Sequence, residues 1–340
     1  MIQLVCQKPE RDAHLEAFQN GVQMAFEALA AGDPIPWKSR RRDQVLTDKQ
    51  RNKPNVQDLF ASLHEANAEG ALLIGNQKQM EDVIVAVDSK YKSIPEGDRE
   101  ACKTIMEKVL SYEMFQSGHC WVVEAGAIDK RETTWRGCQY ILKLGVKVCP
   151  YCNAVILPRD LTICFDHYLP KDEFPYLRLC LYNLVPVCKD CNWPRKNFPV
   201  GDFTSYAYPY RDSVHDETLF SLEQFQVGQM PADGDVPLLL DKRTPADSDR
   251  SKQWLEQMKI PELYSSSYGD HIRWIYENSD YFRKEYRNIL ARQLGRQGME
   301  AEYRRYFKCS LDRKKINVEP LSKLTIDLVE FFNSGMVRGA

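Results

Sequence analysis

The sequence predicts an α+β protein with mostly helical flanks around a compact, cysteine-rich middle. Three observations lead there. Apolar residues recur at helical spacing in both outer thirds of the chain. Between about 136 and 215 the pieces become short, and cysteine, proline and aromatic residues become dense. Two Cys-x-x-Cys pairs lie inside that middle segment.

The N-terminal flank, 1–135, opens with Leu15, Phe18, Val22, Phe26 and Leu29 at three- and four-residue steps, and Gly32-Asp33-Pro34 stops the pattern. A polar, basic stretch follows from Lys38 to Lys53. Residues 56–88 read as helix again, interrupted by the apolar run Gly70–Gly75, which has the length of a strand. Ser93–Asp98 reads as a loop, and 98–118 as a further helix. The C-terminal flank, 216–340, begins with a Gly/Pro/Asp-rich loop at 228–237. Helical spacing then returns at Trp254, Met258 and Ile260, at Ile272, Ile275 and Tyr276, and at Tyr286, Ile289, Leu290 and Leu294. Leu321–Phe332 makes a last helix.

Composition narrows the class. Hydrophobic residues are 43% and charged residues 28% of 340, the balance of a folded globular chain and neither disordered nor collagenous. No run of 18 apolar residues is present to span a bilayer, and Met1–Lys8 has no long apolar segment of the signal-peptide kind; the expectation is a cytoplasmic protein with no membrane partner. The net charge of −2 neither points to nucleic acid nor excludes it, because local charge density decides binding.

The cysteines carry the sharpest signal. Cys149-Pro150-Tyr151-Cys152 and Cys188-Lys189-Asp190-Cys191 can supply four thiolates to one tetrahedral zinc ion. A four-thiolate site leaves no open position for a substrate, so its role is structural: it staples a segment poor in apolar core. Leu161, Ile163 and Phe165 alternate ahead of Asp166-His167, the pattern of a strand ending at that dipeptide. The stretch after Cys191 can begin a short helix, within the limit set by Pro194.

Cys149/Cys152, Asp166-His167-Tyr168-Leu169-Pro170-Lys171, Phe174-Pro175, Asn183-Leu184-Val185-Pro186 and Cys188/Cys191-Asn192 together resemble the HNH (ββα-metal) endonucleases. The likeness is to the branch with two zinc-binding Cys-x-x-Cys pairs, and most of all to the HNH effectors of bacterial anti-phage systems, such as the Septu nuclease subunit. It covers about 60 residues at 140–200, within a core domain placed at 136–215. Its third motif letter is Asn192 rather than His. The resemblance implies a metal-dependent nuclease acting on DNA, a partner ATPase subunit in a defence complex, and a role for Asn183 in orienting the loop and the His167 backbone.

Phosphodiester hydrolysis needs an activated water and neutralisation of charge on the phosphoryl and leaving oxygens. His167, neutral near pH 7, is the candidate base. Asp166 and the carboxamide oxygen of Asn192 are the candidate ligands of a catalytic Mg²⁺ or Mn²⁺, a hard ion that needs few protein oxygens. An Asn in that position also caps helices. Lys171 and Lys196 are candidate phosphate contacts, or solvated lysines. The basic stretches at 38–53 and 283–315 can extend a DNA surface or form solvated helix faces. Tyr206, Tyr208 and Tyr210 read as packing. The rival function is a non-catalytic zinc module that binds nucleic acid or protein.

Overall fold

Apolar residues at three- and four-residue steps and a glycine stop produce the first helix, α1 (Ala13–Ala31). Gly32 follows it at φ +81°, a left-handed position where glycine escapes the Cβ penalty. In this computed structural model the described residues are 13–35, 46–68, 72, 76–111, 146–156, 163–192, 207–212, 214–222, 230–231, 234–244, 249–279, 284–316 and 319–333. They form an α+β, mostly helical protein with two two-stranded sheets. The chain divides into two units, one of Cys6–Leu144 with Phe165–Val185, the other of Met1–Val5, Gly145–Cys164 and Pro186–Ala340.

In the first unit, α2 (Asp48–Arg51) starts with a capping box between Thr47 and Gln50. It is followed by α3 (Pro54–Ala68), α4 (Gln77–Ser93) and α5 (Glu96–Val109). α1 packs on α3 through Val22, Phe26, Leu59, Phe60 and Leu63, all fully buried, with the rings of Phe26 and Phe60 stacked at 5.9 Å. Buried Asn67 donates from Nδ2 to Gln19 O and Gln23 Oε1, while its Oδ1 is buried with no hydrogen-bond partner among the described residues. The helix expected over 98–118 begins earlier, at Glu96, and ends at Val109: Leu110 leaves helical geometry with its N–H still bonded to Met106 O. The run Gly70–Gly75 lies outside the described residues except Leu72, a buried turn residue.

Strand β1 (Ile163–His167) ends at the Asp166-His167 dipeptide, as the alternation predicts; Leu161 lies outside the described residues. It pairs with β2 (Leu184–Cys188). Two single 3₁₀ turns, Pro175–Leu177 and Leu181–Asn183, shape the chain between them.

The second unit contains α6 (Lys189–Asn192), α7 (Val214–Glu217), β3 (Thr218–Leu222), β4 (Leu238–Lys242), α8 (Asp249–Gln257), α9 (Ile260–Ser267), α10 (Gly269–Ser279), α11 (Lys284–Phe307) and α12 (Ser322–Asn333). α6 carries Cys191 and is described as far as Asn192; the stretch beyond it, where a short helix is expected, lies outside the described residues. β3 and β4 pair antiparallel, Phe220 opposite Leu240. The sequence predicts a loop at 228–237 and no strand on either side of it; Leu238-Leu239-Leu240 is a continuous apolar run without the alternation that marks a strand. α12 is buried from Ser322 through Val329, charged residues included. Tyr208 and Tyr210 are buried with rings 5.5 Å apart, the packing role expected of them; Tyr206 lies outside the described residues.

Candidate functional site

The first cysteine pair sits on a tight turn. Val148 and Val155 form an antiparallel bridge, Cys149 N–H donates to Ala154 O at 2.7 Å, and Asn153 N–H returns to Cys149 O at 2.8 Å. Asn153 takes φ 56°, a left-handed conformation that asparagine tolerates better than most residues. The second pair spans the end of β2 and the turn of α6. All four Sγ atoms of Cys149, Cys152, Cys188 and Cys191 lie within 4.8 Å of one another. Cys152 and Cys188 are 3.6 Å apart, and Cys188 N–H points at Cys149 Sγ at 3.5 Å. A tetrahedral Zn–S distance of ~2.3 Å requires sulfurs ~3.8 Å apart, so the cluster is already close to that geometry.

Electrostatics favour a cation there. Burial raises the Cys149 thiol, but hydrogen bonds from Cys152, Cys188 and Cys191 outweigh it and hold the group well below the ordinary thiol range. Cys152 and Cys191 are pushed well above that range, first by sharing hydrogen bonds with the other cysteines. Four clustered thiols therefore cannot all ionise alone, and a divalent metal ion such as zinc could be held there and would supply the missing positive charge. The described cysteines form no disulfide.

Around this knuckle the unit is tied down by polar contacts that sequence reading did not single out. Tyr264 donates its hydroxyl proton to Cys152 O at 2.5 Å, and the Tyr151 and Trp254 rings meet edge-on at 4.7 Å. Fully buried Asn153 donates from Nδ2 to Ile316 O, while its Oδ1 accepts Lys323 N–H and the Ser322 hydroxyl at the start of α12. The available signal was an asparagine directly behind a metal-binding turn.

Asp166 and His167 end β1 in the other unit. Asp166 is buried. His167 is half-buried, and its Nε2 lies 3.0 Å from Arg178 O. A carbonyl only accepts, so in the neutral ring Nε2 carries the proton and Nδ1 keeps the lone pair. Burial lowers the imidazole to about 4, so it is neutral at pH 7. Asn183, fully buried, accepts Leu169 N–H at 2.7 Å and donates to Leu169 O and Leu177 O. Its own carbonyl accepts Tyr168 N–H. The 168–183 loop is thus closed around one asparagine immediately behind Asp166-His167.

Asn192 closes α6, half-buried, in the cysteine-bearing unit. Lys171 is half-buried on the loop beyond β1, and Lys196 lies outside the described residues. Much of the described basic surface is neutralised: Arg51 pairs with Asp48, Lys53 with Asp98, Arg304 with Glu300 and Glu319, and Arg313 with Asp327. Among the described residues no helix is long and apolar enough to cross a membrane.

No protein-family model matches the chain, and no solved structure matches it significantly. Over 150 residues it is 25% identical to Protein ea31 of Escherichia phage lambda; the match covers 42% of this chain and 48% of that protein. The chain thus spans about half the length of that relative.

Proposed function

We propose that the protein is a metal-dependent HNH endonuclease that cleaves DNA, with a structural zinc on Cys149, Cys152, Cys188 and Cys191. The observation that carries the reading is the set of bonds around His167. A neutral ring whose Nε2–H is given to a carbonyl carries its lone pair on Nδ1, the atom that would take the proton of an attacking water. The loop behind it is fixed by Asn183, the residue that the HNH resemblance assigns to that task.

In this mechanism Nδ1 of His167 takes the proton as the water oxygen attacks phosphorus, and Arg178 O keeps the resulting imidazolium oriented through Nε2–H. Asp166 and the carboxamide oxygen of Asn192 are the ligands that the resemblance implies for Mg²⁺ or Mn²⁺, which would supply positive charge against the phosphate. Lys171, on the loop after β1, would contact a phosphate in this reading. A nuclease confined to a small core, carried between long helical flanks, needs control, and a partner ATPase subunit of a defence complex is the expected source.

The test is cleavage of plasmid DNA against Mg²⁺ and Mn²⁺ concentration for three variants, with zinc assayed in parallel. His167→Ala should cut roughly 10²–10⁴-fold more slowly at unchanged metal dependence. Asp166→Ala should lose metal affinity, and Asn192→Ala should recover partly at high Mn²⁺. Zinc content should hold in all three. A His167→Ala protein that cuts like the parent would overturn the nuclease reading and leave the inert zinc module.

A further inference from the structure

The loop that supplies the His167 acceptor is gripped by two helices of its own unit. Tyr176 donates its hydroxyl proton to Asp88 on α4 at 3.3 Å, and its ring meets Tyr91 edge-on at 6.2 Å. Lys92 sits 5.8 Å over the Phe174 ring. From α5, Lys103 lies 3.3 Å from Asp172, and Glu107 Oε1 accepts Arg178 Nη1–H at 3.0 Å. Of these contacts, the last lands on the residue whose carbonyl accepts His167 Nε2–H. Arg178 follows the 3₁₀ turn Pro175–Leu177, where a small φ/ψ rotation swings the carbonyl.

We propose that Glu107 on α5 is a positioning residue for His167, acting through Arg178. With its far end anchored to α5, the Arg178 side chain restrains its own backbone and keeps the carbonyl aimed at Nε2. If the anchor is lost, the carbonyl drifts and the two neutral tautomers of His167 approach each other in energy. Part of the population then presents Nδ1–H, which cannot take a proton from water. The effect on tautomer depends on geometry alone; the effect on rate rests on the nuclease reading above. The Glu107 carboxylate is 36% exposed, and an ion pair that open contributes little to global stability. Rate should therefore move far more than stability.

The experiment is long-range ¹H–¹⁵N correlation of the histidine rings in the full-length ¹⁵N-labelled protein at neutral pH, with His167 assigned by its loss in His167→Ala. The parent should show the Nε2–H form. Glu107→Ala should show a measurable Nδ1–H fraction, a kcat for DNA cleavage lower by about 10–100-fold, and a KM for DNA near the parent's. Glu107→Gln keeps an acceptor oxygen and should restore most of both. Arg178→Met, which cuts the same contact from the other side while the residue still has a backbone carbonyl, should reproduce the tautomer change. A Glu107→Ala protein with His167 wholly in the Nε2–H form overturns the proposal. So does an Arg178→Met protein with an unchanged tautomer. A tautomer change in a protein whose parent cuts no DNA upholds the positioning role and sinks the nuclease reading instead.

Discussion

His167 shows how one carbonyl sets the chemistry of a ring. Burial lowers its pKa from the ordinary 6.5 to about 4, so between those values the unfolded chain binds a proton that the folded chain refuses. Stability therefore rises with pH from 4 to 6.5, and His167 penalises folding as pH falls through that window. His167→Gln removes the penalty. Between pH 6.5 and 4 the variant should lose about 1–2 kcal/mol less stability than the parent, after discounting for the ring's partial exposure. Urea unfolding of both proteins across that range checks it; equal losses would contradict a buried neutral imidazole. Any other group that titrates in this window does so equally in both proteins, so the difference isolates the ring.

At the scale of elements, α12 is the most unusual helix of the second unit. It buries Lys323 and Asp327 completely, and Lys323 spans to Thr218 O on β3 while Asp327 accepts Phe220 N–H from the same strand. Asp327 also meets Arg243 and Arg313, and Lys323 meets Asp327 and Thr218 O. The two deletions should therefore differ. Asp327→Leu removes the one carboxylate that Lys323, Arg243 and Arg313 share and should cost about 3–5 kcal/mol. Lys323→Met leaves Asp327 with two guanidinium groups and should cost less than half as much. Denaturant unfolding of both variants distinguishes them, and equal costs would mean that the network is not organised around the carboxylate. The periodicity of Leu321–Phe332 announced a helix with an apolar face, but it gave no sign that the opposite, charged face is buried as well, because that depends on β3 and on Arg243 and Arg313, far away in sequence. The β3–β4 hairpin escaped for a related reason: its leucine run fits a strand or a buried helix turn, and only pairing selects between them.

For the whole molecule, metal is the expected keystone of the second unit. Purified protein should carry about one zinc per chain, and Cys149→Ser or Cys191→Ser should abolish it. Because Asn153 joins the cysteine turn to the start of α12, zinc removal should speed amide exchange at Leu321 and Lys323 as well as around the cysteines. Exchange confined to 147–156 would show that the two are not coupled. Elemental analysis well below one zinc in folded material would remove the structural site.

By itself the sequence determined what nearby residues decide: the α+β class, the extent of α1, the end of β1 at Asp166-His167 and the pairing of four thiols as one cluster. Helical period, a glycine stop and Cys-x-x-Cys spacing are local, and local signals survive without a fold. The tertiary structure decided which groups surround those residues. Arg178 O against His167 Nε2, Glu107 against Arg178, Asn153 on α12 and Arg243 against Asp327 join positions from 11 to 170 residues apart. Such contacts exist only when packed elements bring them together, since no spacing rule in the chain encodes a partner held by another element's position.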